Sequence, residues 1–202
     1  MNQAIKTILI SSIVGAVIGS GATFLFQNNQ KSTEQELIKE FYEIENAVYI
    51  SPHSLRQKMS KGQTNDYVLV DLRSQEEYEK EHIAGAINIP AYKDKDTSDY
   101  SAVDRIVTAF SQLPKDKEII TYCYSIPCMT ARKIGSVLAE HEMYVKTLGI
   151  GWNEWRYFWT LWNHEHEWNQ TLASDYVVSG PEPGIAKLRD EGSACVVGHF
   201  GC

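Results

Sequence analysis

The chain has 202 residues, of which 43% are hydrophobic and 22% are charged, proportions that are ordinary for a folded globular protein. Its 19 Lys and Arg against 26 Asp and Glu give a net charge of −7, which argues against nucleic acid as a partner, because phosphate binding requires a positive field. Four cysteines are too few for a fold built on disulfides.

The first thirty residues differ from the rest of the chain. Residues 7–26 contain no charged side chain and, at about 1.5 Å per residue, match the ~30 Å hydrocarbon core of a bilayer. Lys6 precedes this run and glutamates follow it, so the positive-inside rule predicts a cytoplasmic N-terminus and an extracytoplasmic remainder. We therefore assign residues 1–30 to a transmembrane signal anchor. A cleaved signal peptide, with Ser20 and Ala22 near the cleavage site, is the alternative, and it also exports the domain.

Helical and strand patterns alternate beyond residue 30. Ser32 or Thr33 can cap a helix to about residue 45, within a linker assigned to residues 31–46. The predicted strands are 48–50, 67–72, 86–89, 118–122 and 144–148, and the predicted helices are 51–61, 75–81, 102–113 and 130–141. Residues 93–99 are predicted to form a solvated loop. Strands that alternate with helices indicate an α/β fold with a parallel sheet covered on both faces.

Cys123 directly follows the predicted strand 118–122 and precedes a helix that opens near Thr130. Open parallel sheets bind ligands at the carboxyl ends of their strands. The free N–H groups and the dipole of a helix N-terminus favour a thiolate over a thiol. Such a thiolate can attack an electrophilic sulfur, and the amides of residues 124–130 would hold a persulfide. A buried structural cysteine is the alternative.

Three sequence blocks around Cys123 resemble the rhodanese (thiosulfate sulfurtransferase-like) family. They comprise residues 68–90, 113–123 and 148–155, and the resemblance covers residues 47 to about 156. It implies a three-layer α/β/α domain around a central parallel sheet, assigned to residues 47–160, in which Cys123 carries sulfane sulfur as a persulfide.

The first of these blocks contains three polar residues that we expect to support the site. Asp71 and Arg73 are expected to tie a strand to its loop through hydrogen bonds, and Arg73 can also pair with Glu77, four residues further on. His82, beside Gly85, is expected to order a turn rather than to transfer a proton.

The cysteine loop departs from the family pattern. It is one residue longer than the common sulfurtransferase loop, and it has neither a glycine nor a basic residue; the residues after Cys123 are Tyr124, Ser125, Ile126, Pro127, Cys128, Met129 and Thr130. A loop without a cation should bind thiosulfate poorly, so we expect a thiol persulfide as the donor and a rather apolar mouth formed by residues 124–127. Phosphatase relatives need a phosphate-clamping arginine where Met129 stands, which argues against phosphatase chemistry. Arg132 lies on the following helix, where pairing with a surface carboxylate is its expected role.

Cys128 lies five residues after Cys123, with Pro127 restricting the backbone between them. If the two sulfurs approach each other, Cys128 can resolve a persulfide or sulfenic acid on Cys123 and form a disulfide within the loop. Alternatively, Cys128 points into the core, because sequence spacing does not fix the direction of a side chain.

Residues 161–202 form a C-terminal extension. Four tryptophans from Trp152 onward recur at helical spacing, which predicts packing on the domain itself, with a belt at the membrane interface as the alternative. Residues 164–167, His-Glu-His-Glu, provide no tetrahedral ligand set, so we predict no metal and no cofactor. Cys195 and Cys202 are expected to form a disulfide, or else Cys202 accepts sulfur from Cys123.

The leading hypothesis is a membrane-anchored, extracytoplasmic rhodanese-like sulfurtransferase that passes sulfur from Cys123 to a thiol acceptor. Its partners would be the membrane, a small thiol or persulfide, or a protein thiol, and not nucleic acid. Two alternatives stay open: a dithiol redox protein that uses Cys123 and Cys128, and a catalytically silent binding or sensing module.

Overall fold

The computed structural model describes residues 32–188. The chain divides into two compact units, the first ending at Ile44 and the second beginning at Glu45. Within residues 32–188, no helix combines the length and the apolar content that a bilayer crossing requires. The anchor predicted at residues 7–26 lies outside the described residues, and so do Cys195 and Cys202.

Helix α1 (Glu34–Val48) begins at a capping box, as the sequence predicts. The Glu36 N–H donates to Thr33 Oγ1 at 3.3 Å, and the Thr33 N–H donates to the Glu36 carboxylate at 2.7 Å, so two backbone donors at the helix start are satisfied. The apolar stripe on this helix, which includes Leu37, Ile38 and Phe41, is exposed.

Strands and helices alternate from Tyr49 onward. In chain order they are β1 (Tyr49–Ile50), α2 (Pro52–Ser60), β2 (Tyr67–Asp71), α3 (Gln75–Lys80), β3 (His82–Ile83), β4 (Ala86–Asn88), β5 (Tyr92–Asp94), β6 (Thr97–Ser98), α4 (Val103–Ser111), β7 (Glu118–Tyr122), α5 (Thr130–Glu140), β8 (Lys146–Leu148), α6 (Trp152–Tyr157), α7 (Trp159–Trp162) and β9 (Val177–Val178). One sheet has the strand order β1-β8-β7-β2-β4, with parallel pairing throughout. The predicted α/β fold with a central parallel sheet is therefore confirmed, and β7 is the middle strand.

The core lies on both faces of this sheet because successive strand residues point to opposite sides. In β2, Leu69 belongs to the apolar cluster on one face, which includes Leu55 of α2, whereas Val70 belongs to the cluster on the other face, which includes Ile134 and Leu138 of α5. Each such buried side chain contributes about 1.5–3 kcal/mol to folding. The continuous apolar run of β2 follows from burial on both faces.

Two local predictions are wrong. Residues 93–99 are not a loop throughout, because β5 and β6 pair as a short antiparallel hairpin. In its turn, the Asp96 N–H donates a hydrogen bond to the Asp94 carboxylate at 2.9 Å. The sequence Ser51-Pro52 predicts a capping serine and a first-turn proline for α2. Pro52 does stand at the start of the helix, but the Ser51 side chain makes no capping hydrogen bond.

The tryptophan-rich segment packs on its own domain, although not as one helix. The chain breaks at Phe158 between α6 and α7. Trp155 is fully buried and Trp159 nearly so, and their rings meet edge to face with centroids 5.7 Å apart. The buried packing confirms the predicted position of these side chains and is at odds with a membrane-interface belt.

The described part of the extension, residues 161–188, continues the same compact unit. β9 pairs antiparallel with β3, placing Val178 opposite His82, and the preceding Tyr176 is fully buried. The Tyr176 ring stacks on Trp159 at 5.5 Å. The folded domain therefore extends beyond residue 160.

Candidate active site

Cys123 lies at the carboxyl end of β7, the middle strand of the parallel sheet, where ligand sites of such sheets form. Its side chain is 3% exposed. The loop that follows is held against the start of α6, since the Trp152 and Asn153 N–H groups donate to the carbonyls of Cys123 and Tyr124, both at 2.8 Å. The strand end and the α6 start thus fix the loop from two sides.

The loop folds back so that its two cysteines meet. A turn closed by the Cys128 N–H on the Ser125 carbonyl at 3.0 Å brings Cys128 Sγ to 3.3 Å from Cys123 Sγ. Both are free thiols. Since a disulfide bond is about 2.05 Å long, the sulfurs need to approach by only about 1.2 Å to form one. Of the two orientations left open by the sequence, the structure places Cys128 toward Cys123.

Of the two thiols, Cys128 has the lower pKa and is therefore the first to ionise. The pKa of Cys128 is lowered to about 5, mainly by the hydrogen bond shared with Cys123. Burial opposes this effect, and the Thr130 hydroxyl and the backbone of Thr130 and Tyr124 add to it. The same bond with Cys128, followed by burial, raises the pKa of Cys123 far above that of an ordinary thiol. The sequence led us to expect the thiolate on Cys123; the shared hydrogen bond, followed by the deeper burial of Cys123, favours it on Cys128 instead.

Some of the loop amides that we expected to bind a persulfide already donate hydrogen bonds to other groups of the protein. The Ile126 N–H donates to the Glu154 carboxylate at 3.3 Å, and the Gly151 N–H donates to the same carboxylate at 3.0 Å. The Cys128 N–H closes the turn described above. Of the amides that we expected to hold a persulfide, those of Tyr124 and Thr130 face the sulfurs. Glu154 was missed, although a glutamate three residues after a helix N-cap is a recognisable capping-box signal.

Arg132 holds the loop rather than pairing with a surface carboxylate, so that expectation is wrong. Its guanidinium donates to the carbonyls of Ile126 and Cys128, at 3.1 and 3.2 Å, and its Nε donates to the Tyr49 hydroxyl at 2.7 Å. The carbonyls of the loop turn toward α5, where Arg132 satisfies them.

Asp71 and Arg73 form a buried pair beneath the site. Arg73 Nη2 donates to Asp71 Oδ2 at 2.6 Å, and the Tyr122 hydroxyl donates to the same oxygen at 2.6 Å, which ties β2 to β7. The predicted Arg73–Glu77 pair is wrong, because Glu77 instead accepts hydrogen bonds from Ser74 and from the Tyr124 hydroxyl. The carboxylate of Glu77 thus holds a side chain of the cysteine loop.

His82 is fully buried in β3 and takes a structural position. Its Nδ1 lies 2.8 Å from the Tyr78 carbonyl, and its ring stacks on the Tyr78 ring with centroids 3.8 Å apart. These contacts order the segment between α3 and β3, as the sequence predicts for this histidine.

A group of hydroxyls beside the sulfurs was not found from the sequence. Thr130 Oγ1 lies 3.3 Å from Cys128 Sγ and 2.8 Å from the hydroxyls of both Tyr92 and Tyr100. Tyr92 lies at the start of the hairpin that was predicted as loop, so no pattern linked it to the site. On the outer side, Ile126 and Met129 are about half exposed and form an apolar rim.

One cluster outside the site carries metal-ligand residue types. His53, His164 and Glu167 place a ligand atom each within 4.8 Å of one another. The two imidazoles stack with planes at 16°, so their in-plane lone pairs do not converge on one ion, and Arg56 already binds the Glu167 carboxylate. This cluster therefore suits a buried ion pair better than a cation.

The model of the rhodanese-like domain family matches residues 51–157, just over half of the chain. The chain belongs to the rhodanese-like domain family. An HTH-type transcriptional regulator from Mycobacterium tuberculosis is 30% identical over 98 residues, which cover 48% of this chain and 38% of the regulator's length. A rhodanese from E. coli solved with anions is 26% identical, with a TM-score of 0.30, and the match covers 42% of this chain and 86% of that one. A Bacillus halodurans protein is 25% identical, with a TM-score of 0.46, and the match covers 61% and 81% of the two chains.

Proposed function

We propose that this rhodanese-like domain transfers sulfane sulfur to a thiol acceptor through a persulfide on Cys123, with Cys128 as a second thiol of the same site. The observation that carries the proposal is the 3.3 Å separation of the two sulfurs at the carboxyl end of the middle strand. A persulfide on either sulfur would lie next to a second thiol and to the amides of Tyr124 and Thr130, which favour an anion.

The proposed donor is a thiol persulfide rather than thiosulfate. The loop supplies no basic side chain, and the guanidinium of Arg132 is occupied by loop carbonyls. The carboxylates of Glu77 and Glu154 both bind groups of the loop and add negative charge beside it. An inorganic dianion would therefore meet little compensating charge at this site.

The proposed location is the outer face of a membrane, with the N-terminus in the cytoplasm. The support is the uncharged run at residues 7–26 and the charges that flank it. The acceptor there would be a small thiol or a protein thiol. The C-terminal Cys202 is a further proposed acceptor, with a Cys195–Cys202 disulfide as its alternative. Mass mapping of the native, alkylated protein distinguishes the two, because a bridge confined to Cys195 and Cys202 excludes the relay.

The test is a transfer assay with glutathione persulfide as donor and a small thiol as acceptor. We expect intact mass to show one added sulfur on the wild-type protein, and Cys123→Ser to abolish transfer while its circular dichroism stays that of the wild type. Faster turnover with thiosulfate than with the persulfide would contradict the proposed donor. Undiminished transfer by Cys123→Ser would contradict the proposed function.

A dithiol redox protein is the second candidate, favoured by the short distance between the sulfurs and by the lowered pKa of Cys128. It predicts that the isolated protein lacks two hydrogens instead of gaining a sulfur, and that a reducible Cys123–Cys128 bond forms. If a folded, reduced protein showed neither sulfur transfer nor formation of this disulfide, the remaining candidate would be a catalytically silent binding module.

A further inference from the structure

We propose that Cys128, and not Cys123, takes the sulfane sulfur from the donor and then passes it to Cys123. This inference rests on the function proposed above and specifies the order in which the two thiols act. It exchanges the roles that the sequence suggests, in which Cys123 reacts first and Cys128 resolves the product.

Cys128 is more accessible to a donor than Cys123. Cys123 is 3% exposed, whereas Cys128 is only partly buried and is flanked by the exposed Pro127 and Met129. The cavity lined by both cysteines measures about 20 Å³, which holds roughly one water-sized group. A single sulfur atom fits there, but the carbon skeleton of a thiol does not. The donor therefore stays outside the loop, where the sulfur that it meets is that of Cys128.

The surrounding donors stabilise negative charge at Cys128. Thr130 Oγ1 lies 3.3 Å from its sulfur, and the hydroxyls of Tyr92 and Tyr100 lie 2.8 Å from that oxygen. As a thiol, Cys128 donates to Thr130 Oγ1; once it is ionised, the Thr130 hydroxyl can donate to the thiolate while it accepts from the tyrosine hydroxyls. The start of α5, an 11-residue helix, adds its dipole. The reactive thiolate of the pair is thus held at its outer sulfur.

The first proposed step is attack by the Cys128 thiolate on the outer sulfur of the donor persulfide. A new S–S bond forms, the sulfur–sulfur bond of the donor breaks, and the donor leaves as a thiolate that takes a proton from water. Cys128 then carries the persulfide.

In the second step, the Cys123 sulfur attacks the terminal sulfur of the Cys128 persulfide. The S–S bond to Cys128 breaks, and the proton of Cys123 moves to the departing Cys128 sulfur. The products are a Cys123 persulfide, whose terminal sulfur keeps its proton, and a Cys128 thiol, so atoms and charge balance and no external oxidant is needed. The 3.3 Å between the sulfurs makes this transfer local.

The experiment uses the full chain with Cys195→Ser and Cys202→Ser, so that only the loop cysteines remain. The protein is exposed briefly to glutathione persulfide and alkylated, and the added sulfur is located by peptide mass. With Cys123→Ser added, we expect Cys128 still to take up sulfur and to retain it, because the second step has no thiol acceptor. With Cys128→Ser instead, loading of Cys123 at neutral pH should slow by about tenfold or more, because the donor does not reach a residue that is 3% exposed.

Two results would contradict the inference, and they have different consequences for the function proposed above. Equal loading of Cys123 with and without Cys128 excludes the relay but keeps the Cys123 persulfide of the proposed function. Sulfur on no form of a protein that is folded by circular dichroism excludes the relay and the proposed function together. Cys128→Ala serves as a second variant, so that a hydrogen bond made by the introduced serine cannot account for the result.

Discussion

At the scale of single residues, Cys128 combines a low pKa with partial exposure. Because its pKa is lowered to about 5, its thiolate is the dominant form at neutral pH, and the thiolate is the form that alkylating reagents attack. We expect the rate of iodoacetamide reaction at Cys128 to rise with pH, to reach half of its plateau near pH 5, and to stay constant from pH 7 to pH 9. Cys123, whose pKa is raised, should react far more slowly than Cys128 over the same range.

Peptide mapping of the alkylated protein at each pH measures both rates. The same protein in urea is the control, and both cysteines should then titrate near pH 8.5, as free thiols do. A folded-state profile at Cys128 that matches the one in urea would mean that the loop does not stabilise its thiolate.

The Thr130 hydroxyl is expected to contribute part of this effect. Thr130→Val keeps the side-chain shape but removes the donor at 3.3 Å from Cys128 Sγ, so the pKa of Cys128 should rise. A hydrogen bond to a charged group contributes about 1.5–3 kcal/mol, which corresponds to a rise of about one to two pKa units. The alkylation profile checks this, with the exposed Thr160→Val as the matched control. An unshifted profile in Thr130→Val would exclude Thr130 as a donor to the thiolate.

The sequence identified single residues only where a pattern pointed to them. Cys123 could be located because the strand before it is continuous and apolar and the helix after it has a clear start. The approach of Cys128 could not be predicted, since it depends on a turn closed at Ser125 and on the packing of α6 against the loop. Tyr92 lies in a hairpin that has no apolar alternation, and Tyr100 lies just beyond that hairpin.

At the scale of structural elements, the contact between the cysteine loop and the start of α6 depends on Gly151. A Cβ at this position would lie 2.2 Å from the Ser125 nitrogen and 2.5 Å from the Tyr124 carbonyl carbon. Because both atoms belong to the backbone, the loop would have to move. Gly151→Ala should therefore destabilise the domain by about 1–3 kcal/mol and raise the pKa of Cys128 by displacing its donors.

Gly135→Ala is the matched control for this prediction. Its added Cβ would meet only Val145 Cγ2, at 3.7 Å, and it lies inside α5, where alanine is favoured over glycine by about 0.5–1 kcal/mol. Urea unfolding and the alkylation profile measure both variants. If Gly151→Ala were as stable as Gly135→Ala, with an unchanged profile, the close approach would not determine the loop geometry.

Elements were predicted well where the burial pattern is regular. β2 and β7 each contain consecutive apolar residues because both of their faces are covered, and the predicted bounds differ from the observed ones by at most one residue. β3 and β9 escaped prediction because two residues give no periodicity, and their pairing joins segments almost a hundred positions apart. The β5–β6 hairpin escaped because its side chains are mostly charged and exposed.

At the scale of the whole domain, a buried ion pair fastens the extension to α2. Arg56 of α2 is 4% exposed. It binds the Glu167 carboxylate, 111 residues further along the chain, and the Asn163 side chain, 107 residues further along. Burial acts to raise the pKa of Glu167, but the hydrogen bonds from Arg56 and from the His164 backbone outweigh it, so the net pKa is lowered. The native state therefore favours the ionised carboxylate, in a segment that the family match does not reach.

Glu167→Gln should accordingly be strongly destabilising. It leaves the buried Arg56 without its carboxylate partner, which costs about 3–5 kcal/mol in typical buried pairs. Urea unfolding followed by tryptophan fluorescence measures the loss, and Asp66→Asn, which breaks the exposed pair with Lys58, is the control, with an expected cost below about 1 kcal/mol. Similar losses in the two variants would mean that the Arg56 pair does not hold the extension.

The pH dependence of stability provides an independent check on the same pair. A carboxyl group whose pKa is lower in the folded than in the unfolded state stabilises the fold above its unfolded pKa of about 4.3, and this contribution is lost as the pH falls through the folded value. As the pH falls below about 4.3, the wild-type protein should therefore lose stability more steeply than Glu167→Gln, in which this group cannot titrate. Parallel stability curves for the two proteins over that range would show that folding does not lower the pKa of Glu167, and the extension would then be held mainly by its buried aromatic side chains, Trp159 and Tyr176.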